Sequence, residues 1–452
     1  MKIFLAALAL VAVLSPSIAP GGDSNVHAGA PVAVGSTPVL EVLFPPASSQ
    51  HEFQDVQTYL LDKASPAFPL ISGAVIRADW SDFDIGDAKT GAHTRYDFKI
   101  VDEAIAPWIA AGKFANIVLH TTPYGGNQCP SSGSGSNGVQ GIGNCAMPPW
   151  MWTALGEANF TNCANAQVPN FISSVYVKNY QAAMAALIEH YASNPGVGYI
   201  RIGLGKGGEI NLPRGWYDAT EACGQAYINR WGYTVGDSNK YTWNAYLEKM
   251  LDYEGSLHAV RQLMVSVTPV QSPSGNPQDV SEFMVPVAVK NGIGFGTQGL
   301  SQPSLHNCSG QQADWCALFE RFQGKVPLEV QTLGPSCPQG TCGNQGRGQG
   351  QGRGQGRWAG GQGQGPWQRQ GQGQSQGRWT QGSQPASGAA LMANLSGMTG
   401  SLVPLLPFAV KSHATIIEIY CEDWLLAFSP NHPHNKEYGA EYVQAMRQVT
   451  GK

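Results

Sequence analysis

The chain has 452 residues, a formal net charge of −4, 42% hydrophobic residues and 13% charged ones. Near-balanced charge argues against a dedicated nucleic-acid binder and says nothing sharper. Length and apolar content suffice for one large domain with a buried core.

The opening "MKIFLAALALVAVLSPSIAPGG" carries one lysine, an apolar run over 3–14, then small residues. Such a run is shorter than the roughly 18–20 apolar residues of a membrane span and reads as a secretory leader. Residues 1–30 are assigned to a signal peptide and flexible N-terminus, cleaved between Ala19 and Ala30. No later stretch is apolar for long enough to span a bilayer, so a secreted or periplasmic location is expected. Nine cysteines suit an oxidising compartment and predict disulfide bonds, whose pairing spacing cannot give. Seven of them, Cys129, Cys145, Cys163, Cys223, Cys308, Cys337 and Cys342, fall in loop-like segments. Cys421 lies in an apolar run and reads as the odd one out, buried and inert. Neither C-x-x-C nor a zinc-type Cys/His spacing occurs, so no metal and no organic cofactor are expected. Asn159-Phe-Thr, Asn307-Cys-Ser and Asn394-Leu-Ser are glycosylation acceptors if the host glycosylates.

From residue 37 onward, strand-like apolar runs alternate with helical patterns. "TPVLEVLFPP" predicts a strand and "SQHEFQDVQTYLLDKAS" a helix. "ISGAVIRADW" is the second strand, followed by the helical "FKIVDEAIAPWIAAGK", which Pro107 must kink or restart. "FANIVLHTTPYGG" is the third strand. In the next helix, Tyr180, Met184, Leu187, Ile188 and Tyr191 share one face. "VGYIRIGLG" is the fourth strand, "RQLMVSVTPVQ" the fifth, "IGFGTQG" the sixth and "VPLEVQTLG" the seventh, with helical patterns between them. "SLVPLLPFAVKSH" is helical, "TIIEIYCEDWLLAF" holds the eighth strand, and "YGAEYVQAMRQVTG" closes the chain.

One segment cannot join a core. Residues 343–387 are Gly/Gln-rich, with five arginines, no acids, and Trp358, Trp367 and Trp379. So little apolar surface predicts a disordered insert, either a solvated loop or an adhesive segment for anionic polymer or sugar rings. Residues 31–342 then supply strands one to seven and 388–452 the eighth strand and the C-terminal helix. Eight strand–helix units of this length predict a (β/α)8 TIM barrel with a low-complexity loop insertion after strand seven. A doubly wound open sheet is the competing architecture.

Within "YIRIGLGKGGEINLPRGW", Gly203, Gly205 and Gly208 match the G-x-G-x-x-G of dinucleotide loops. Such a loop must lead into a helix whose N-terminus receives the pyrophosphate. Here Pro213 and Gly215 follow instead, and the strand is the fourth, so the cofactor reading fails. The other reading is a strand end that presents Glu209. Glu329, in "VPLEVQT", ends strand seven in the same reading. In a barrel those strands oppose each other across the mouth, and two facing carboxyls are what glycoside hydrolysis requires.

These two glutamates, with "IRADWSDFDIGDAKTGAHTRYDFKIVDEAIAPWIAAGK", resemble the β-galactosidase-like members of clan A of the glycoside hydrolases. The resemblance runs as a pattern from about Val39 to Phe428, outside the insert. It implies Glu209 as acid/base, Glu329 as nucleophile, and Arg77 as the arginine that steadies the nucleophile. The clan places asparagine directly before the acid/base, where this chain has Gly208; Asn211 is the neighbouring amide able to take over its sugar contact. "GLGKGGE" and "LEV" are also similar to segments of β-amylases, barrels that invert configuration through two glutamates. Further substrate-binding candidates at strand ends are Asp79, His120, Gln298, Glu418 and Glu422, with Trp80, Trp216 and Trp424 as stacking platforms. G-x-S-x-G is absent from strand–helix turns, which disfavours Ser/His/Asp chemistry. The expected function is an exported hydrolase of a β-linked oligo- or polysaccharide, of retaining type. The alternatives are a β-amylase-like inverting enzyme and a carbohydrate-binding or adhesion protein without catalysis.

Overall fold

The computed structural model describes residues 37–45, 47–121, 146–156, 159–161, 167–205, 208–210, 242–267, 278–301, 315–332, 334–336 and 400–452. The leader, the Gly/Gln-rich insert, the seven loop cysteines, Asn211 and Trp216 lie outside these residues.

The strands are β1 (Val39–Phe44), β2 (Ile71–Asp79), β3 (Asp84–Asp87), β4 (Ala92–Tyr96), β5 (Phe114–His120), β6 (Asn159–Thr161) and β7 (Gln167–Pro169). They continue as β8 (Tyr199–Ile202), β9 (Gln262–Ser266), β10 (Gly294–Leu300), β11 (Leu328–Thr332) and β12 (Ile416–Tyr420). Eight of them, β1, β2, β5, β8, β9, β10, β11 and β12, pair in sequence order, all parallel. The last closes on the first, with Glu41 opposite Glu418. That pairing excludes the open sheet and makes the (β/α)8 barrel. Helices fill the connections: α1 (Gln54–Leu61), α2 (Lys99–Ala110), α3 (Pro149–Leu155), α4 (Ser174–Tyr191), α5 (Thr242–Ser256) and α6 (Gln278–Lys290). Then come α7 (Trp315–Phe322), α8 (Leu402–Lys411), α9 (Cys421–Phe428) and α10 (Ala440–Thr450). Among the described residues no helix is long and apolar enough to cross a membrane.

Strand alternation divides the core in two. One set, including Leu40, Val42, Ile117, Ile200 and Val330, faces the helices and merges with Leu60, Trp108, Leu187 and Phe319. The other set, Val75, Val118, Tyr199, Met264 and Ile416, meets inside the barrel. Burial on both sides is why these strands read as unbroken apolar runs. The face expected on α4 is the buried one, and Ser173 caps that helix by accepting the Val175 N–H. Pro107 does not begin a second helix: it sits in the last turn of α2, which ends three residues later.

Three elements depart from the sequence reading. The end of "TIIEIYCEDWLLAF" is not extended: Cys421 begins α9. Cys421 itself is free and buried. Two antiparallel hairpins, β3–β4 and β6–β7, decorate the loops after β2 and β5. The first is pinned by Asp84, which accepts from the indoles of Trp80 (2.7 Å) and Trp150 (3.1 Å) and pairs with His93 (2.8 Å).

Gly203 marks where β8 leaves the barrel wall. A Cβ there would sit 2.0 Å from the Leu119 carbonyl oxygen, whereas at Gly112, also a turn glycine with φ +76°, nothing lies within 4 Å. Gly112→Ala is therefore expected to lose only the left-handed penalty of about 1–2 kcal/mol. Gly203→Ala must move backbone and is expected to lose about 3 kcal/mol or more. Urea unfolding midpoints of the two variants check the order.

Candidate active site

The side chains that reach the barrel mouth follow from the interior cluster by counting in twos. Val75 points inward, so Arg77 and Asp79 do as well; Val118 leads to His120, and Met264 to Ser266. Glu209 lies beyond β8 but rejoins the ladder by pairing with Ser266, and Ile210 N–H donates to the Ser266 carbonyl at 3.0 Å. It therefore shares Ser266's inward direction. The segment is held from α5, where Trp243 donates to the Ile210 carbonyl (2.9 Å) and Tyr246 to that of Leu204 (3.0 Å).

Gly208 now has a physical reason. Its φ is +77°, and a Cβ would lie 2.8 Å from His120 Cδ2. An asparagine in that place would be strained in its backbone and would collide with the His120 ring. Asp79 and His120 are register partners on adjacent strands. Burial, then Arg77 and Arg201, pushes the His120 pKa well below its ordinary value, so the ring is neutral. Arg77 Nε lies 3.3 Å from Asp79 Oδ1. Burial raises the Asp79 pKa against the pull of Arg77. Asp82 accepts the Asp79 N–H at 2.9 Å; burial and then Asp79 push its own pKa up to about 7. Gln298 is buried near the end of β10, just past Gly296, where the pairing with β11 shifts register.

Glu329 is elsewhere. It is the second residue of β11, has no solvent exposure, and lies opposite Ile416 of the interior apolar cluster. Its carboxylate forms an ion pair with Arg201 Nη1 at 2.8 Å and rests against Gly296, where a Cβ would lie 2.2 Å from Oε2. Arg201 is shared. Nη1 also meets both oxygens of Glu418 at 3.1 Å, and Nη2 donates to Gln331 Oε1 at 3.0 Å. Tyr199 donates to Glu418 (2.5 Å) and contacts Glu41 (3.0 Å), which also accepts from Asn116 at 2.7 Å. Three carboxyls thus crowd one guanidinium. Burial, then Glu418, raises the Glu41 pKa from 4.5 to about 8; burial, only partly opposed by Arg201, does the same for Glu329. For Arg201, burial works against the charge but the two glutamates outweigh it and raise its pKa.

Several expected roles change accordingly. Arg77 does not steady Glu329: Arg201 does, while Arg77 holds Asp79. Glu418 belongs to the sealed cluster and has no exposure. Glu422 lies in the first turn of α9, so strand alternation no longer aligns it with Glu418; it accepts the Cys421 thiol at 3.2 Å. Trp80 and Trp424 are both fully buried and offer no stacking face to a sugar. Trp80 packs edge-on against Tyr176 and Tyr180, and Trp424 stacks on Phe428. Glu41, Asn116, Tyr199, Arg201 and Gln331 were not singled out from the sequence. The available signal was a polar residue in the middle of an apolar strand, as in "VLEVLF" and "YIRI".

No protein-family model and no curated protein matches the chain. Solved structures with a similar barrel include an endo-β-1,4-xylanase from Gloeophyllum trabeum, at 11% identity and TM-score 0.41, covering 92% of this chain and 98% of that one. A thermostable xylanase mutant from Cellvibrio japonicus aligns at 10% identity and TM-score 0.44, covering 92% and 99%. A β-galactosidase from Rahnella sp. R3 aligns at 9% identity and TM-score 0.44, covering 93% of this chain and 57% of its own. These neighbours are glycoside hydrolases; the likeness concerns the barrel, and no residue role is taken from it.

Two tests address the buried cluster. Removing a partner from a buried ion pair costs about 3–5 kcal/mol, so Arg201→Met is expected to unfold at markedly lower urea than the native protein. Glu41 has a folded pKa near 8 against an ordinary 4.5 once unfolded, and burial shifts Glu329 in the same direction, so between those values the folded chain binds more protons than the unfolded. Their stabilising contribution is full below the unfolded pKa and is lost as pH rises through the folded one. The slope reaches at most about 1.4 kcal/mol per pH unit for each group. Thermal midpoints are expected to fall from pH ~5 to pH ~8.5, less steeply in Glu41→Gln.

Proposed function

We propose that the chain is an exported hydrolase of O-glycosidic bonds that works at the C-terminal mouth of the barrel, with Glu209 as its proton donor. The observation that carries this is the placement of Glu209: inward, at a strand end, beside neutral His120, with Gln298 buried near the end of β10 two strands away. A polyhydroxylated ligand is held by convergent donors and acceptors of this kind, and barrel chemistry is done at this face. Arg77, Asp79, His120 and Gln298 are the substrate contacts in this reading. The leader-like residues 1–30 support export.

Glu329 has no part in the bond cleavage. A retaining mechanism needs a nucleophile about 5–5.5 Å from the acid, across the scissile bond. Glu329 lies beneath the mouth, without exposure and tied to Arg201. A carbohydrate-binding protein without turnover is the second reading, favoured by this same sealing of Glu329.

The two readings separate on a panel of aryl β-glycosides and polysaccharides assayed for reducing-sugar release. Turnover that falls by about 10²–10⁴ in Glu209→Gln and by less than about tenfold in Glu329→Gln is the expected result. Glycan binding without turnover establishes the second reading. Equal loss in both variants, at unchanged thermal midpoints, restores Glu329 to the chemistry and defeats the assignment.

A further inference from the structure

A lone acid at the mouth does not complete hydrolysis, because the attacking water must also lose a proton. One aspartate ends β2 and two more follow it in "ADWSDFD", and the structure separates their duties. Asp84 is occupied by two indoles and His93. Asp82 turns back to the Asp79 N–H while the Asp79 carboxylate accepts the Asp82 N–H, a reciprocal cap over the turn Trp80–Asp82 that also fixes the Asp79 side chain. Asp79 alone lies on the inward side of β2, two residues beyond Arg77 and four beyond Val75 of the interior cluster. Its side chain is 10% exposed, and its ion pair is with Arg77.

We infer that Asp79 is the second catalytic carboxylate of this site, the base that activates water for attack on the anomeric carbon. The inference rests on the hydrolase reading of Glu209. β2, β5 and β8 are neighbours, and their mouth residues are Asp79, His120 and, beyond β8, Glu209. Two strand spacings put the Asp79 and Glu209 backbones roughly 10 Å apart. Side chains converging from that separation leave space for a water, as an inverting pair at about 6.5–9.5 Å requires. Arg77 opposes, without cancelling, the burial that raises the Asp79 pKa, and Asp82, itself pushed up by burial and by Asp79, leaves that ion pair to Asp79. In the reaction, water oxygen bonds to the anomeric carbon and its proton passes to Asp79. The glycosidic C–O bond breaks as the Glu209 proton moves to the leaving oxygen, and solvent then resets both carboxyls.

The test uses the full chain and a pair of β-glycosides with 4-nitrophenyl and 2,4-dinitrophenyl leaving groups. A dinitrophenolate departs without a proton, so Glu209→Gln is expected to lose most turnover with the first substrate and keep it with the second. Asp79→Ala is expected to lose about 10²–10⁴ with both, since water still needs a base. Azide has no proton to lose and bypasses the base. Added azide is therefore expected to restore release in Asp79→Ala and to give a glycosyl azide of inverted configuration. Proton NMR of the native reaction is expected to show inverted product first. Native turnover with retention, native-like turnover in Asp79→Ala, or a loss that azide leaves unrelieved at an unchanged melting temperature overturns the assignment while sparing the hydrolase reading. No turnover by the native protein defeats that reading, and this inference with it.

Discussion

One guanidinium inside the barrel balances three carboxyls. Arg201 touches Glu329 and Glu418, and Glu41 joins through Tyr199. Desolvating so many charges is unfavourable, and the structure limits the number that exist. Glu41, raised by burial to about 8, keeps its proton at neutral pH, Glu329 is matched by Arg201, and neutral partners, Asn116, Tyr199 and Gln331, supply hydrogen bonds that need no counter-charge. The wall makes room for the cluster. At Gly296 any side chain would overlap the Glu329 carboxylate.

That cluster divides the barrel along its axis. Below the mouth the interior is filled by the Arg201 network and by Val75, Val118 and Met264. Towards the mouth, Arg77, Asp79, His120 and Glu209 come from strands two to four of the barrel or from the segment that leaves the fourth, and Ser266 and Gln298 from strands five and six. Reactive chemistry is confined to the upper set, because groups in the lower one are satisfied by one another and enclosed. The chemistry is thereby gathered on one side of the ring, in place of the opposed glutamates of strands four and seven.

Much of the fold was legible beforehand. Eight apolar runs separated by helical patterns gave the eight barrel strands, and the apolar stripe of α4 is the face it buries. The helix at Cys421–Phe428 was not, because "CEDWLLAF" is short, apolar and contiguous with a strand, so periodicity cannot separate the two. Nor were the roles of Trp80 and Trp424. A tryptophan after a strand is equally at home against a sugar or between barrel and helices, and only its neighbours, here Tyr176, Tyr180 and Phe428, decide.

The sequence by itself determined that Glu209 stands past a strand end, that polar groups interrupt apolar strands at several points, and that the strands number eight. These are local properties, written in the order of residues. Which carboxyl meets which cation was decided by barrel closure and strand register. Glu329 and Glu209 both follow apolar runs and look alike in one dimension. Register runs from Glu209 through Ser266 and Gly296 to Glu329, so what separates the two acids is their surroundings: Glu329 is sealed against Arg201 and Gly296, whereas Glu209 stands beyond the end of β8.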